Sequence, residues 1–129
     1  MKIEMTQHED YLEVIVTGQF DHQKAFAQIT HANIINKCRL VGKNKALIDF
    51  SKLEGDIAAS IKVLYTMKIS ELYNNHLESG GMPLKIAYLG SPSMVSSDEP
   101  GSKIARREGL PTKLTTSKKE ALLWLGVST

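Results

Sequence analysis

Hydrophobic and polar residues alternate at the start of the chain and then change to helical spacing. Residues 1–6 and 11–17 alternate as half-buried strands do, and the short polar connector 7–10 predicts an antiparallel hairpin. Residues 21–37 carry apolar positions three and four apart, which predicts a helix with Asp21 as its N-cap. The predicted buried stripe of this helix comprises Ala25, Phe26, Ile29, Ala32 and Ile35.

The middle of the chain has the pattern of strands that are covered on both faces. Residues 45–51 contain three consecutive apolar positions, which is typical of a strand between two layers of helices. The pattern of residues 57–79 predicts a long helix, with Asp56 as its N-cap and two glycines after its end. Residues 84–89 form the next predicted buried strand.

The last third of the chain is predicted to alternate between loop, helix and strand. Residues 90–101 have loop composition, with four serines, two prolines and two glycines. A short helix over residues 102–108 and a strand over residues 113–115 follow. Ser117 and Glu120 form a capping-box sequence that predicts a final helix, closed by a glycine.

The summed order, ββαβαβαβα, predicts a single α/β domain over residues 1–129, with helices packed on a mixed sheet. A hydrophobic share of 42% is ordinary for a globular chain, and a formal net charge of +2 is too small to argue for a nucleic-acid or membrane partner. Cys38 is the single cysteine, so no internal disulfide is predicted. Neither a signal sequence nor a membrane span is visible, and we expect a cytoplasmic protein without integral membrane association.

The residues that favour chemistry are few. Asp49 ends a buried strand, at the edge where α/β sheets bind ligands, but aspartates there also accept hydrogen bonds from their own turn. Glu54 and Asp56 lack the regular ligand alternation of a calcium loop, so we predict no metal and no cofactor. Asp49 and His76 are the one catalytic pair worth testing, and we predict that the protein is not an enzyme.

Basic residues are concentrated in the C-terminal third. Residues 103–119 contain six lysines and arginines and one acidic residue, without the interleaved aromatic residues that stack on bases. Such a cluster suits an anionic surface or a lipid headgroup, but solvated helix faces are the ordinary explanation, and we predict no binding of nucleic acid.

Four stretches together resemble a known family. They are the opening hairpin ending in T-G, then A-L-I-D-F-S-K-L-E-G-D-I, P-L-K-I-A-Y-L and the closing E-A-L-L-W-L. The chain resembles the STAS-type, SpoIIAA-like superfamily, which includes anti-sigma-factor antagonists and is related to the CRAL-TRIO lipid-transfer domain. Its nearest likeness is to the bacterial SpoIIAA-like group. The resemblance implies a SpoIIAA-like mixed β-sheet with an N-terminal antiparallel hairpin and packed helices.

The resemblance also implies the position of a regulatory serine. In the anti-sigma-factor antagonists a serine after the central strand is phosphorylated by a partner kinase, and this position falls at about Ala58. Alanine has no hydroxyl group, while Ser51 comes too early and Ser60 too late. We therefore predict that the phosphoserine switch is absent.

Two hypotheses from different classes follow. The first is a regulatory module that binds a protein partner through residues 49–57 and the start of the next helix. Its predicted contact residues are Asp49, Ser51, Glu54, Asp56 and Ser60. The alternative is a pocket under the 90–101 loop for a small amphipathic or anionic, lipid-like ligand. Its predicted lining residues are Leu64, Tyr65, Ile69, Tyr73, Ser91 and Ser93.

Self-association is a further expectation. A two-fold contact between copies would use the edge strand of residues 1–6 together with Tyr65, Met67 and Tyr73 of the long helix. We therefore expect a homodimer.

Overall fold

The computed structural model describes residues 2–20, 26–55, 59–96 and 99–127. These residues contain six strands and five helices. The strands are β1 (Lys2–Gln7), β2 (Leu12–Gln19), β3 (Lys45–Asp49), β4 (Leu53–Glu54), β5 (Lys85–Leu89) and β6 (Thr112–Thr115). The helices are α1 (Phe26–Val41), α2 (Ala59–Glu78), α3 (Pro92–Ser96), α4 (Glu99–Glu108) and α5 (Lys118–Leu125).

The strands form one mixed sheet in the order β1-β2-β3-β5-β6. The hairpin partners β1 and β2 are antiparallel, whereas β2-β3, β3-β5 and β5-β6 are parallel neighbours. The two-residue strand β4 pairs with the far end of β2. The predicted mixed α/β architecture with an N-terminal antiparallel hairpin is confirmed.

Helices cover the sheet on both faces, and the two cores follow from the alternation along the strands. Ala46 and Ile48 of β3 point into the larger core, which α1, α2 and α4 cover. Leu47 points into the smaller core with Ala87, beneath α5. The run of apolar residues in β3 is therefore explained, because each face of the strand meets a helix.

A glycine-dependent end fixes the helix that precedes β3. Gly42 has φ +69°, and beside it the amide of Lys43 donates to the carbonyl of Cys38 (2.9 Å). Helix α1 thus ends at Val41, four residues later than predicted. Its predicted N-cap, Asp21, lies outside the described residues.

The predicted loop over residues 90–101 is wrong, because most of its described residues are helical. Pro92 opens α3, and the hydroxyl of Ser91 accepts a hydrogen bond from the amide of Met94 (3.3 Å) as a cap. Pro100 is the second residue of α4, where a missing amide proton costs no helical hydrogen bond. The serines and prolines that indicated a loop are residues typical of helix starts.

None of the helices in the described part of the chain is long and apolar enough to cross a membrane.

Candidate interaction surface

Asp49 ends β3 and holds the turn that follows it. Its carboxylate accepts hydrogen bonds from the Ser51 amide (2.9 Å) and the Ser51 hydroxyl (2.5 Å). The side chain is half-buried on the sheet face that α5 covers, because Asp49 follows Leu47 by two residues. The interpretation that Asp49 stabilises its own turn is thus confirmed.

Backbone hydrogen bonds attach this turn to both neighbouring strands. The amide of Phe50, whose side chain is buried, donates to the carbonyl of Leu89 at the end of β5 (2.7 Å). On the other side β4 pairs with β2, and the Phe20 amide donates to the carbonyl of Glu54 (2.8 Å). We refer to residues 49–55 as the β3 turn, and its backbone is fixed at both ends.

The β3 turn presents polar side chains to solvent from that fixed backbone. Ser51, Lys52 and Glu54 are exposed. Gly55 has φ +102°, and a β-carbon there would lie 2.5 Å from Nε2 of Gln19. Only glycine fits this position without strain, so the path of the chain as it leaves the turn is also specified.

The beginning of α2 lies against the same structure. The Phe20 and Tyr65 rings meet edge to face, with their centroids 6.1 Å apart, so Phe20 joins α2 to the β3 turn. Leu64 and Met67 are 46% and 49% exposed and lie three residues apart on α2. They form an apolar patch on a helix whose start adjoins the polar β3 turn.

Not all of the predicted partner-binding residues are described. Asp49, Ser51 and Glu54 belong to the β3 turn, and Ser60 lies in the first turn of α2. Asp56 lies outside the described residues, as does Ala58, the position at which the resemblance implies a phosphoserine.

The residues predicted to line a ligand pocket lie in different environments. Ile69 and Tyr73 are buried in the larger core, where the Tyr73 hydroxyl accepts a hydrogen bond from the Leu84 amide (3.2 Å). Ser91 and Ser93 approach each other at the start of α3, with 3.3 Å between their hydroxyl oxygens. A groove of about 260 Å³ lies between α2 and α4. It is lined by Met67, Ser70, Glu71, Asn74, Asn75 and Glu108.

A buried carboxylate, which no sequence pattern indicated, lies on the α5 side of the sheet. Glu13 accepts hydrogen bonds from Nε2 of His8 (2.9 Å) and Nζ of Lys118 (3.2 Å). Burial by itself raises the pKa of the Glu13 carboxyl, but these two hydrogen bonds and the lysine charge hold it below its ordinary value. The hydrogen bond to Glu13 in turn raises the pKa of Lys118, and the nearby charge of Asp49 contributes in the same direction.

The proposed catalytic pair is not brought together. Asp49 lies at the carboxyl end of β3, whereas His76 bonds to Arg39 of α1 and to Met82, which precedes the amino end of β5. Nδ1 of His76 accepts from Arg39 (2.9 Å), because arginine can only donate, and Nε2 donates to the carbonyl of Met82 (2.8 Å). His76 thus has a structural role and lies at the opposite edge of the sheet from Asp49.

The remaining candidates for chemistry are also structural. Cys38 is buried, and burial raises the pKa of its thiol to about 11, which keeps the thiolate scarce. Within residues 2–20, 26–55, 59–96 and 99–127, no three histidine, cysteine or carboxylate side chains are placed to hold a metal ion.

Comparison with known proteins shows that this chain is similar to solved structures at the level of the fold. No protein-family model matches the sequence, and no curated protein matches it either. Several solved structures are similar over nearly the whole chain, and three of them are described here. An anti-sigma factor antagonist from Mycobacterium paratuberculosis is 14% identical, with a TM-score of 0.59, over 97% of this chain and 93% of that one.

The other two structures agree with this likeness. A variant of RsbS from Moorella thermoacetica is 16% identical, with a TM-score of 0.55, over 98% of this chain and 96% of that one. An uncharacterized protein of the DUF3478 family from Shewanella loihica, described as having a SpoIIAA-like fold, is 18% identical. Its TM-score is 0.52, over 96% of this chain and 92% of that one. This chain therefore has the SpoIIAA-like, STAS-type fold that its sequence motifs predicted.

Proposed function

We propose that this protein is a non-enzymatic regulatory module that binds a protein partner through the β3 turn and the start of α2. The observation that carries the proposal is the fixed backbone of an exposed turn. Hydrogen bonds to β2 and β5 hold the turn in place, while Ser51, Lys52 and Glu54 remain exposed. A surface that is ordered before binding loses less conformational entropy on association than a flexible loop would.

The composition of this surface supports a protein as the partner. Leu64 and Met67 supply exposed apolar area on α2, and the β3 turn supplies polar side chains. An apolar centre with a polar rim is the usual anatomy of a protein–protein interface. The solved structures of similar fold include an anti-sigma factor antagonist, a protein named for its action on another protein.

We further propose that the module acts without a phosphoserine. Alanine occupies position 58, where the resemblance implies the modified serine. Ser51 is a poor substitute, because its hydroxyl donates to the Asp49 carboxylate at 2.5 Å. A phosphate there would place about two negative charges beside that carboxylate. The regulation is then set by the amount or state of the partner and not by modification of this chain.

A reversal of charge on the β3 turn tests the binding surface. The chain is purified under gentle conditions from its own host, and native mass spectrometry measures the partner bound at fixed stoichiometry. Glu54→Lys is expected to reduce partner occupancy by at least about tenfold, because reversing a charge breaks the electrostatic complementarity of a binding surface. Glu78→Lys makes the same charge change at the far end of α2 and is expected to leave occupancy unchanged.

Two results would contradict the proposal. One is equal loss of the partner in both variants, and the other is a bound small molecule with no protein partner. The same spectra report the modification state, and a phosphorylated form of the chain would contradict the proposed absence of a phosphoserine.

A further inference from the structure

The edge of the sheet at β1 has unpaired backbone groups within the described residues. Strand β1 is the first in the sheet order, and within the described residues it pairs only with β2. The register runs through six consecutive pairs without a bulge, and the strand contains no proline. Bulges and prolines are common devices that protect an edge from pairing, and β1 has neither.

The hairpin geometry identifies which backbone groups face outward. The amide of His8 donates to the carbonyl of Tyr11 (2.9 Å), which makes these residues a hydrogen-bonded pair. Hydrogen-bonded and non-hydrogen-bonded pairs alternate along an antiparallel ladder, so Lys2, Glu4 and Thr6 bond to β2. The backbone N–H and C=O groups of Ile3, Met5 and Gln7 therefore point away from the sheet.

The side chains of the strand are self-complementary. Lys2 and Glu4 lie on one face, where their charged atoms are 2.8 Å apart and both side chains are largely exposed. Ile3 lies on the other face and is 38% exposed, whereas Met5 packs against the larger core. The strand thus carries a cation, an exposed apolar residue and an anion at the consecutive positions 2, 3 and 4.

Two-fold antiparallel pairing of β1 with itself uses the outward backbone groups when it is centred on any residue from Ile3 to Thr6. A register centred on Glu4 sets two carboxylates opposite each other, one centred on Met5 sets Ile3 opposite Gln7, and one centred on Thr6 sets Met5 opposite Gln7. A register centred on Ile3 sets the two Ile3 side chains together and sets Lys2 of each copy opposite Glu4 of the other. Opposite charges and paired β-branched residues are favourable cross-strand neighbours, while like charges are unfavourable.

We propose that β1 pairs antiparallel with β1 of a second copy of this chain, in the register centred on Ile3. The two sheets then continue into one across the two-fold axis, and the contact satisfies the outward backbone groups of Ile3 in both copies. The paired segment is short and its buried area is correspondingly small, so the dimer dissociates on dilution. This contact is separate from the β3 turn, and neither proposal depends on the other.

Sedimentation velocity over micromolar to millimolar concentrations of the intact chain tests the proposal. We expect a monomer–dimer equilibrium that higher salt shifts toward monomer. Glu4→Lys is expected to weaken dimerisation by at least about tenfold, because each dimer then carries two like-charged cross-strand pairs. The double variant Lys2→Glu with Glu4→Lys restores opposite charges and is expected to restore dimerisation. Glu9→Lys, in the hairpin connector, is the matched control and is expected to have no effect.

A backbone variant tests the strand pairing independently of charge. Ile3→Pro removes an outward amide without removing a hydrogen bond to β2, so the hairpin is expected to persist by circular dichroism while the dimer is lost. A chain that stays monomeric throughout the range overturns the proposal. A dimer that survives both Glu4→Lys and Ile3→Pro overturns it too, and failure of the double variant to recover overturns the register.

Discussion

The buried carboxylate of Glu13 gives the sharpest test of how the two ends of the chain are joined. Glu13 lies on β2 near the start of the chain, and Lys118 opens the last helix. The Glu13 side chain is 11% exposed, whereas those of His8 and Lys118 are 39% and 53% exposed. Glu13→Gln keeps the shape of the side chain and removes its charge.

The expected magnitude follows from these contacts. A hydrogen bond to a charged group contributes about 1.5–3 kcal/mol, but partly exposed partners are screened by solvent and contribute much less. We therefore expect Glu13→Gln to lower the free energy of unfolding by about 1–2 kcal/mol near neutral pH. Urea unfolding followed by circular dichroism measures this change, and Glu9→Gln at an exposed position is the control.

The pH dependence of this stability difference gives a test that can refute the explanation. The pKa of Glu13 is lower in the folded chain than its ordinary value of 4.5, so the unfolded chain binds more protons in the acid range. The stabilisation is then fully present above about pH 5 and is lost as the pH falls through the folded pKa, below 4.5. The difference between wild type and Glu13→Gln should shrink on acidification. A difference that stays constant or grows would refute the reasoning.

Two further predictions concern the helix α2 terminus and the cysteine. A β-carbon at Gly81 would lie 2.2 Å from Cε1 of His76, so Gly81→Ala is expected to displace the ring and cost about 2–4 kcal/mol of unfolding free energy in urea titrations. The neighbouring Gly80→Ala meets open space and is expected to cost only about 1 kcal/mol for its positive φ, and the reverse order of the two costs would contradict this explanation. Cys38, with a thiol pKa of about 11, is expected to resist a thiol reagent near pH 8 in the native state and to react in denaturant. Rapid native labelling would show that the thiol is accessible.

Much of the fold could be predicted because its local signals agree with its tertiary structure. The apolar run of β3 requires cover on both faces, and the structure provides it. The predicted cap of α5 is present, because the hydroxyl of Ser117 accepts from the Glu120 amide (3.2 Å) and Gly126 has φ +77°. The Ser117 amide, however, donates to the Thr115 hydroxyl (3.1 Å), and that hydroxyl donates to the Glu120 carboxylate (2.7 Å). Thr115 therefore connects the two residues of the predicted capping box.

The faces of α1 and α2 were predicted less well. Ala32 of the predicted stripe is exposed, whereas His31 is buried and bonds to the Tyr88 hydroxyl (2.7 Å). Leu64 lies on the predicted apolar face of α2 and is 46% exposed. A buried polar side chain needs a hydrogen-bond partner. The partner of His31 is 57 residues away in the sequence, so the local pattern could not predict its burial.

The candidate site was predictable only in part. The sequence pattern at the end of β3 indicated Asp49 and Ser51 as candidate residues, and a local hydrogen bond joins them. Glu13 and Lys118 are separated by 105 residues, so only the folded sheet brings them together. Ligand binding by Leu64, Tyr65, Ile69 and Tyr73 stays a prediction, because it depends on how the helices pack and no local pattern encodes that packing.

Site-specific photo-crosslinking in the native host tests the central claim most directly. A photoreactive residue replaces Lys52 in the β3 turn or, as the matched control, the exposed Lys37 on α1. The account predicts that one protein is captured at fixed stoichiometry from position 52 and not from position 37. Capture from position 37 alone, or equal capture from both positions, would contradict a partner-binding surface at the β3 turn.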